Sequence, residues 1–442
     1  MQIQLSDHFN YKKLLRFTFS SIIMMIFTSV YSVVDGLFVS NFVGKTPFAA
    51  VNFIMPLLMM LGALGFMFGT GGSALVAKAF GEGDPDRANR LFSLFIYTTV
   101  ALGCVIAALG FLMMPVIAAA LGAEGQMLAD CVLYGRVVIL GLPFFMLQME
   151  LQSFFVTAEK PQLGLYVTLA AGIVNILLDA LFVAVLEWKL VGAAAATAIS
   201  QASGALCGIF YFGRKNSSIL RLRKCRYDGK ALLQATINGS SELMSNVSMS
   251  LVSMLYNVQL MRFAGEDGVS AYGVLMYVNL IFLSVFIGYS VGTAPVISFH
   301  YGAQNQAELK SLLRKSLMII LLSSAAMLGL GLLLARPLSS IFVGYAPDLF
   351  AMTLRGFHIY SFSFLFAGVA IFGSSFFTAL SDGLTSALVS FLRTLVFQVA
   401  AVLLLPLVWE LDGIWLSIVV AELMAFLATF FFLLRKRKRY GY

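Results

Sequence analysis

Long apolar segments alternate with short polar segments along the whole chain. A run of about 20 mainly apolar residues is long enough to cross the hydrocarbon core of a bilayer as an α-helix. The sequence therefore predicts an all-α polytopic membrane protein with twelve transmembrane helices. These spans, numbered 1 to 12, are predicted at residues 14–40, 48–79, 91–119, 128–156, 161–186, 190–213, 230–262, 269–300, 311–341, 350–378, 383–409 and 411–434.

The chain also repeats itself at an offset of 221 residues. The segment AFGEGDPDRANRL around Gly81 matches HYGAQNQAELKSL around Gly302, and two shorter matches keep the same offset. Each repeat holds six spans, an even number, so both halves enter the membrane in the same orientation. We therefore predict an N-lobe at 1–213, a basic cytoplasmic linker at 214–230 and a C-lobe with a basic cytoplasmic tail at 231–442, arranged around a central cleft. The two shorter matches are Thr157-Ala158 with Thr378-Ala379 and Leu190-Val191-Gly192 with Leu411-Asp412-Gly413.

Three polar pairs interrupt the apolar spans of the first repeat, each at i, i+4 spacing. This spacing places both members of a pair on one helix face. Carboxylates inside membrane spans are expensive, and they usually mark the path of an ion or a substrate. The pairs are Tyr31 with Asp35, Asn175 with Asp179, and Thr197 with Gln201.

Four of these residues are predicted to lie at a similar depth, near the outer surface. Asp35 and Asp179 approach the outer ends of spans 1 and 5, and Thr197 follows the outer start of span 6. With Asn175 they provide two carboxylates, an amide oxygen and a hydroxyl, a ligand set that suits Na⁺. Because burial and like-charge repulsion favour a protonated carboxyl group, the same residues also suit H⁺. The sequence leaves this choice open.

The second repeat lacks the acidic pair. At the positions 221 residues later it has Tyr256, Val396, Ala400 and Ile418. We therefore expect the cation site to belong to the N-lobe alone.

Four further charges are predicted within spans. Arg393 of span 11 and Glu422 of span 12 are expected to pair as a neutral structural device. Glu242 of span 7 is a candidate for the substrate cavity, and Glu150, in the inner part of span 4, is a candidate for lining the cleft.

Composition supports a membrane protein, because 60% of the residues are hydrophobic and only 11% are charged. The net charge of +8 does not indicate nucleic-acid binding, because its distribution follows the membrane. With the N-terminus in the cytoplasm, 22 of the 29 Lys and Arg residues fall on the inner side and six on the outer side. This asymmetry predicts that both termini are cytoplasmic.

No catalytic or nucleotide-binding motif is present. The sequence has neither a GxxxxGK[ST] phosphate loop nor an HExxH motif, and its three His residues are scattered. The four cysteines form no CxxC pair and are interpreted as packing residues. We therefore expect neither enzymatic activity nor a cofactor, and no metal beyond a coupling Na⁺.

The chain resembles multidrug and toxic compound extrusion (MATE) transporters, in their bacterial MepA-like branch. The resemblance covers essentially the whole length and rests on VDGLFVS in span 1, the AFGEGD loop, NILLD in span 5 and VGAAAATAISQ at the start of span 6. It implies two six-helix lobes that export cationic, often aromatic compounds against an inward flow of H⁺ or Na⁺. By motif match, Asp35, Asn175, Asp179 and Thr197 take the cation site, and Tyr31, Gln152 and Gln201 line the drug cavity.

Two other functions stay open at this point. A lipid-linked-precursor flippase of the same superfamily should line its cleft with cations that hold pyrophosphate, whereas this chain offers mainly Arg393. A channel would show flux that neither saturates nor depends on a cation gradient. For the transporter we expect small cationic substrates, a bacterial plasma (inner) membrane as its location, the lipid bilayer as its surroundings, no nucleic-acid partner, and function as a monomer.

Overall fold

The computed structural model describes residues 3–42 and 45–442, with all their side chains except those of residues 32, 33, 35–42, 45–49 and 52. Nine of the described helices are long and apolar enough to cross a membrane, and two bent helix pairs raise the number to eleven. The longest helix is two spans joined at Gly265, where φ is 63°. The prediction of an all-α protein with twelve transmembrane helices is therefore confirmed.

The helices follow the predicted spans closely. Spans 1 to 3 are α1 (Tyr11–Phe42), α2 (Lys45–Gly81) and α3 (Pro85–Ala120); span 4 is α4 (Gly125–Leu140) with α5 (Leu142–Thr157); span 5 is α6 (Pro161–Asp179) with a π-helical segment (Ala180–Val185); and span 6 is α7 (Lys189–Gly213). Spans 7 and 8 form α8 (Gly229–Gly302); span 9 is α9 (Gln306–Val343); span 10 is α10 (Pro347–Ser361) with α11 (Phe364–Ala379); span 11 is α12 (Gly383–Phe391), a second π-helical segment (Leu392–Val396) and α13 (Phe397–Leu404); and span 12 lies in α14 (Pro406–Tyr440).

Equivalent spans of the two repeats share their irregularities. Span 4 bends by 53° between α4 and α5, and span 10 bends by 49° between α10 and α11. Spans 5 and 11 each contain a π-helical segment. These interruptions replace the straight helices that apolar periodicity alone predicts.

The matching loops at Gly81 and Gly302 fold in the same way. Asp84 Oδ1 accepts a hydrogen bond from the backbone N–H of Arg87 at 2.9 Å, and Asn305 Oδ1 accepts one from the N–H of Glu308 at 3.1 Å. Asp84 and Asn305 are separated by the repeat offset, and each caps the N-terminus of the helix that follows.

The two lobes pack directly on each other at these loops. A Cβ atom at Gly81 would lie 2.0 Å from the carbonyl oxygen of Phe299, and one at Gly302 would lie 2.2 Å from the carbonyl oxygen of Lys78. Adding 221 to the number of the N-lobe residue and subtracting 221 from the number of the C-lobe residue converts one contact into the other. The repeats are therefore related by an approximate two-fold axis that passes through this contact.

A second reciprocal pair extends this contact along the helices. A Cβ atom at Gly71 would lie 2.9 Å from Cα of Gly239, and one at Gly292 would lie 3.1 Å from Cα of Thr18. We call this glycine-lined contact between spans 1 and 2 of the N-lobe and spans 7 and 8 of the C-lobe the seam. Only residues without a side chain allow the helix backbones to approach so closely.

Both termini lie at the end of the molecule where the seam is found, the terminus end. The N-terminal arm joins both lobes there, because the N–H of Leu5 donates to Glu159 Oε1 at 2.7 Å and the N–H of Phe9 donates to Glu308 Oε1 at 2.9 Å. The ring of Tyr440, near the C-terminus, packs edge-on against Tyr301.

The basic linker lies along the N-lobe. The N–H of Arg221 donates to Asn89 Oδ1 at 2.6 Å, and the N–H of Arg223 donates to Ser93 Oγ at 2.8 Å. Leu220, directly before Arg221, is fully buried. The linker is thus attached to the start of span 3 before it enters span 7.

Candidate functional site

One face of span 5 carries buried polar groups. Asn175 is 2% exposed and Asp179 is fully buried, and the two lie one helical turn apart. Gly172 is on the same face, and a Cβ atom there would lie 3.4 Å from Cδ1 of Tyr31. Span 1 therefore covers this face, and the structure brings Tyr31 together with the polar face of span 5.

The backbone changes its hydrogen-bonding pattern directly after Asp179. Residues Ala180–Val185 form the π-helical segment, so Asp179 is the last residue of the regular helix. Short π-helical segments inside α-helices are frequent at functional sites. The sequence carried no signal for this segment.

Asn175 offers an oxygen for a ligand. Its Oδ1 atom is buried and has no hydrogen bond to a described protein atom. Carboxylate and amide oxygens are the ligands that hard cations prefer. The arrangement of Asn175 and Asp179 is thus chemically suited to a cation or a proton.

Asp35 lies on α1, one turn after Tyr31, but its side chain is outside the described residues. Its predicted place in the cation site therefore stays a prediction.

Thr197 and Gln201 lie on the neighbouring helix, span 6. The hydroxyl of Thr197 donates to the carbonyl oxygen of Ala193 at 3.1 Å, which leaves the lone pairs of the hydroxyl oxygen available to a ligand. Both side chains line a cavity of about 20 Å³ between spans 2, 4 and 6, which has room for about one water molecule. Its other lining residues are Met55, Leu58, Met59, Val138, Leu142 and Phe145.

Two polar residues of span 4 are inside the N-lobe. Gln152 is 3% exposed, so a substrate reaches it only if the helices around it move. Glu150, which the sequence suggested for the cleft, is fully buried. That expectation is wrong, because the glycine-rich stretch of span 2 packs so closely that it covers this part of span 4. A Cβ atom at Gly69 would lie only 3.0 Å from Cα of Glu150.

The C-lobe has a neutral interaction where the N-lobe has Asp35. The hydroxyl of Tyr256 donates to Gln398 Oε1 at 2.9 Å, and its ring stacks on Tyr272 at a centroid distance of 5.3 Å. These groups satisfy each other without an ionisable carboxyl group. The C-lobe thus fills this position with a hydrogen-bonded pair that carries no carboxyl group.

The predicted pair of Arg393 and Glu422 is confirmed. Arg393 Nε lies 3.1 Å from Glu422 Oε1 and 2.9 Å from Oε2, and both side chains are largely buried. Arg393 belongs to the π-helical segment of span 11. Glu242 is half-buried, and its carboxyl group interacts electrostatically with Arg393. Its predicted role in the substrate cavity stays a prediction.

Comparisons with known proteins agree with this architecture. The sequence profile of the MatE family matches residues 20–181 and 243–403, one match in each half of the chain. The multidrug export protein MepA of Staphylococcus haemolyticus is 24% identical over 95% of this chain and 92% of its own length. MepA of Staphylococcus aureus strain NCTC 8325 is 23% identical over 97% of this chain and 94% of its own length.

Solved structures share the fold. A multidrug resistance MATE family transporter in an outward-facing conformation superposes with a TM-score of 0.91 at 21% identity, covering 98% of both chains. A transporter of the MOP superfamily from Pyrococcus furiosus, for which a reverse polarity of the binding pocket is described, gives a TM-score of 0.90 at 21% identity over 98% of this chain and 97% of its own. Since the family profile matches both repeats and most of the chain, this protein belongs to the MatE family.

Proposed function

We propose that the protein is a secondary active efflux transporter, which exports lipophilic or aromatic cations in exchange for H⁺ or Na⁺ by alternating access. The observation that carries this proposal is the buried polar face of span 5, where Asn175 and Asp179 lie on the face that span 1 covers. The equivalent residues of the other repeat, Val396 and Ala400, are apolar. The names of the staphylococcal relatives, which are multidrug export proteins, support the same function.

In this mechanism the N-lobe holds the coupling ion. The ligands are Asp35, Asn175, Asp179 and Thr197, whose oxygens suit either ion. A cationic substrate enters from the cleft and competes with the coupling ion for the same negative charge. The cleft attracts such a substrate through its acidic groups and through the faces of its aromatic rings. The substrate cavity is formed by Tyr31, Gln152, Gln201 and Glu242.

The protein acts as a monomer in the plasma membrane of a bacterium, with both termini in the cytoplasm. The excess of Lys and Arg on the side of the termini supports this orientation. Transport needs no cofactor and no catalytic reaction, because the ion gradient supplies the free energy.

Two observations speak against the flippase. Among the described residues, the buried ionisable side chains of the N-lobe spans are acids, as at Asp179 and Glu150. Arg393, the cation that the flippase hypothesis needs, is already neutralised through two short contacts with Glu422. Charge-paired in this way, Arg393 is not available to hold a pyrophosphate group.

The function is tested with purified protein in lipid vesicles, with a pH gradient and a Na⁺ gradient imposed separately. A gradient of the coupling ion should accelerate ethidium transport, and the rate should saturate with ethidium concentration. Asp179→Asn should reduce transport to the rate without a gradient. The matched control is Asp348→Asn, which makes the same change at an exposed position in the first turn of α10 and should keep the wild-type rate.

Three outcomes would overturn the proposal. Transport that ignores both gradients or fails to saturate would indicate a channel. Exclusive movement of an anionic lipid-linked sugar would indicate the flippase. If Asp179→Asn transported at the wild-type rate, span 5 would not be part of the coupling site.

A further inference from the structure

Glu150 is a buried acid for which the mechanism above has no role. It lies seven residues before the end of α5, in the half of span 4 nearest the terminus end. Asp179 lies near the opposite end of span 5, so the two acids occupy opposite halves of the N-lobe. Glu150 is therefore not a part of the predicted cation site.

The carboxyl group of Glu150 is enclosed but unpaired. Its side chain is fully buried, and neither carboxyl oxygen has an ion-pair partner among the described residues. The hydroxyl of Thr99 on span 3 faces it, and Ser153, one turn further along span 4, is also buried without a hydrogen-bond partner for Oγ. Among the described residues, the surroundings of Glu150 thus offer hydroxyl groups and no positive charge.

The ionisable groups on the helices packed against span 4 do not pair with it either. In the described part of the chain these groups include Lys78 of span 2, Arg90 of span 3, Asp179 of span 5 and Glu242 of span 7, and none forms an ion pair with Glu150. Burying an unpaired carboxylate costs far more than burying the neutral acid. The neutral, protonated acid is the form that fits this conformation.

Span 2 connects this acid to the seam between the lobes. On one face of the helix, Gly69 packs on Cα of Glu150, with a Cβ distance of 3.0 Å. On the other face, two residues later, Gly71 packs on Ala235 and Gly239 of span 7 across the seam. Span 2 therefore cannot leave span 7 and tilt without changing its contact with Glu150.

We propose that Glu150 is a proton-binding residue separate from the predicted cation site, which is protonated while the seam is closed and loses its proton when the seam opens. The proposal rests on the proposed transport function and adds a proton site in the opposite half of the N-lobe. Opening of the seam at the terminus end admits water to the carboxyl group and stabilises its ionised form. By linkage, the protonated form favours the closed seam and the ionised form favours the open seam.

Infrared spectroscopy tests the protonation directly. In wild-type protein at neutral pH, the protonated carboxylic-acid band should include a component that disappears in Glu150→Gln. The matched control is Glu187→Gln, at an exposed loop position, which should leave the protonated-acid band unchanged. An identical spectrum for the wild type and Glu150→Gln would overturn the proposal.

Spin labels at Glu82 and Ala303, repeat mates on the two sides of the seam, test the coupling. Raising the pH should increase the open population of the wild type, by up to tenfold per pH unit for one linked proton. Glu150→Gln should stay closed at pH values where the wild type opens. Equal pH dependence in both proteins would overturn the proposal.

Two points keep the outcome decisive. If Glu150→Gln cannot be purified, Glu150→Asp replaces it, and its acid band and the pH midpoint of opening should shift; unchanged values would overturn the proposal. If the vesicles show no driven transport but the spectroscopic results hold, the transport function fails while the role of Glu150 stands. If the wild type transports and Glu150→Gln matches it in rate, spectrum and opening, only the role of Glu150 fails.

Discussion

Single residues decide how each lobe satisfies its buried polar groups. In the C-lobe, Tyr256 and Gln398 satisfy each other, and Arg393 neutralises Glu422. In the N-lobe, the carboxyl group of Glu150 has no cationic partner among the described residues. A buried polar group without a partner is costly, so it is kept where function needs it. For the buried carboxyl groups, this contrast supports the proposal that the N-lobe is the ion-binding half.

The charge pair of the C-lobe gives a prediction about stability. Arg393→Met leaves two carboxylates, Glu422 and Glu242, without their cation, and breaking a buried pair costs about 3–5 kcal/mol. Glu422→Gln should cost less, because Glu242 remains within electrostatic range of Arg393. Thermal unfolding in detergent measures both. The double variant Arg393→Met/Glu422→Leu should recover most of the loss, and a larger loss for Glu422→Gln than for Arg393→Met would contradict this reading.

At the level of elements, the segments outside the spans are attached to particular helices. The linker binds span 3 through Asn89 and Ser93, and the C-terminal helix is held by Lys436, whose Nζ lies 3.1 Å from Asp382 Oδ2. These contacts keep polar segments ordered beside the membrane-spanning helices. They also make the segments testable one at a time.

Asn89→Ala should release the linker. Asn89 is 4% exposed, and its side chain both accepts from the N–H of Arg221 and donates to the carbonyl oxygen of Ile219. Trypsin should then cleave after Arg221 or Arg223 faster than in the wild type, by about fivefold for a loss of about 1 kcal/mol. Asn216→Ala, which changes an amide within the linker itself, is the comparison. Equal cleavage rates for wild type and Asn89→Ala would show that the linker is held elsewhere.

Asp382 should make the attachment of the C-terminal helix sensitive to acid. Burial raises the pKa of Asp382, but hydrogen bonds from Tyr440 and Lys436 outweigh it and hold the pKa below its ordinary value. Its contribution to stability is thus complete at neutral pH and is lost as the pH falls below about 4. Corrected for intrinsic rates, amide exchange in residues 430–442 should be constant from pH 5 to 8 and rise in stronger acid. In Asp382→Asn, these amides should exchange about fivefold faster at neutral pH, because the attachment loses about 1 kcal/mol of stability. An exchange rate equal to that of the wild type would contradict this prediction.

At the scale of the whole molecule, the approximate two-fold axis makes the seam symmetric. Gly81 and Gly302 face each other's lobe through equivalent contacts, with Cβ distances of 2.0 and 2.2 Å to backbone oxygens. A conformational change that opens the seam must break both contacts together. The internal repeat of the sequence thus produces a symmetric contact between the lobes, and its two halves open together.

Gly302→Leu and Gly81→Leu should therefore shift the protein in the same direction. A side chain at either position overlaps the backbone of the other lobe, so the closed seam becomes unfavourable. The distance between spin labels at Glu82 and Ala303 should lengthen in both variants. Gly329→Leu is the matched control, because a Cβ atom there would meet no atom within 4 Å. A short distance in either seam variant would show that the lobes pack differently.

The sequence alone determined the number and order of the spans, the repeat and the polar pairs. The spans could be predicted because a bilayer requires long apolar helices whose backbone groups form hydrogen bonds within the helix. The repeat could be predicted because the matching loops have similar residues at a constant offset. Only the tertiary structure decided that spans 4 and 10 bend, that π-helical segments follow Asp179 and include Arg393, and that Glu150 is buried rather than exposed to the cleft. These features depend on which helix lies against which. Gly69 and Gly71 look alike in the sequence, but one covers an acid and the other closes the seam, because their opposite faces meet different helices.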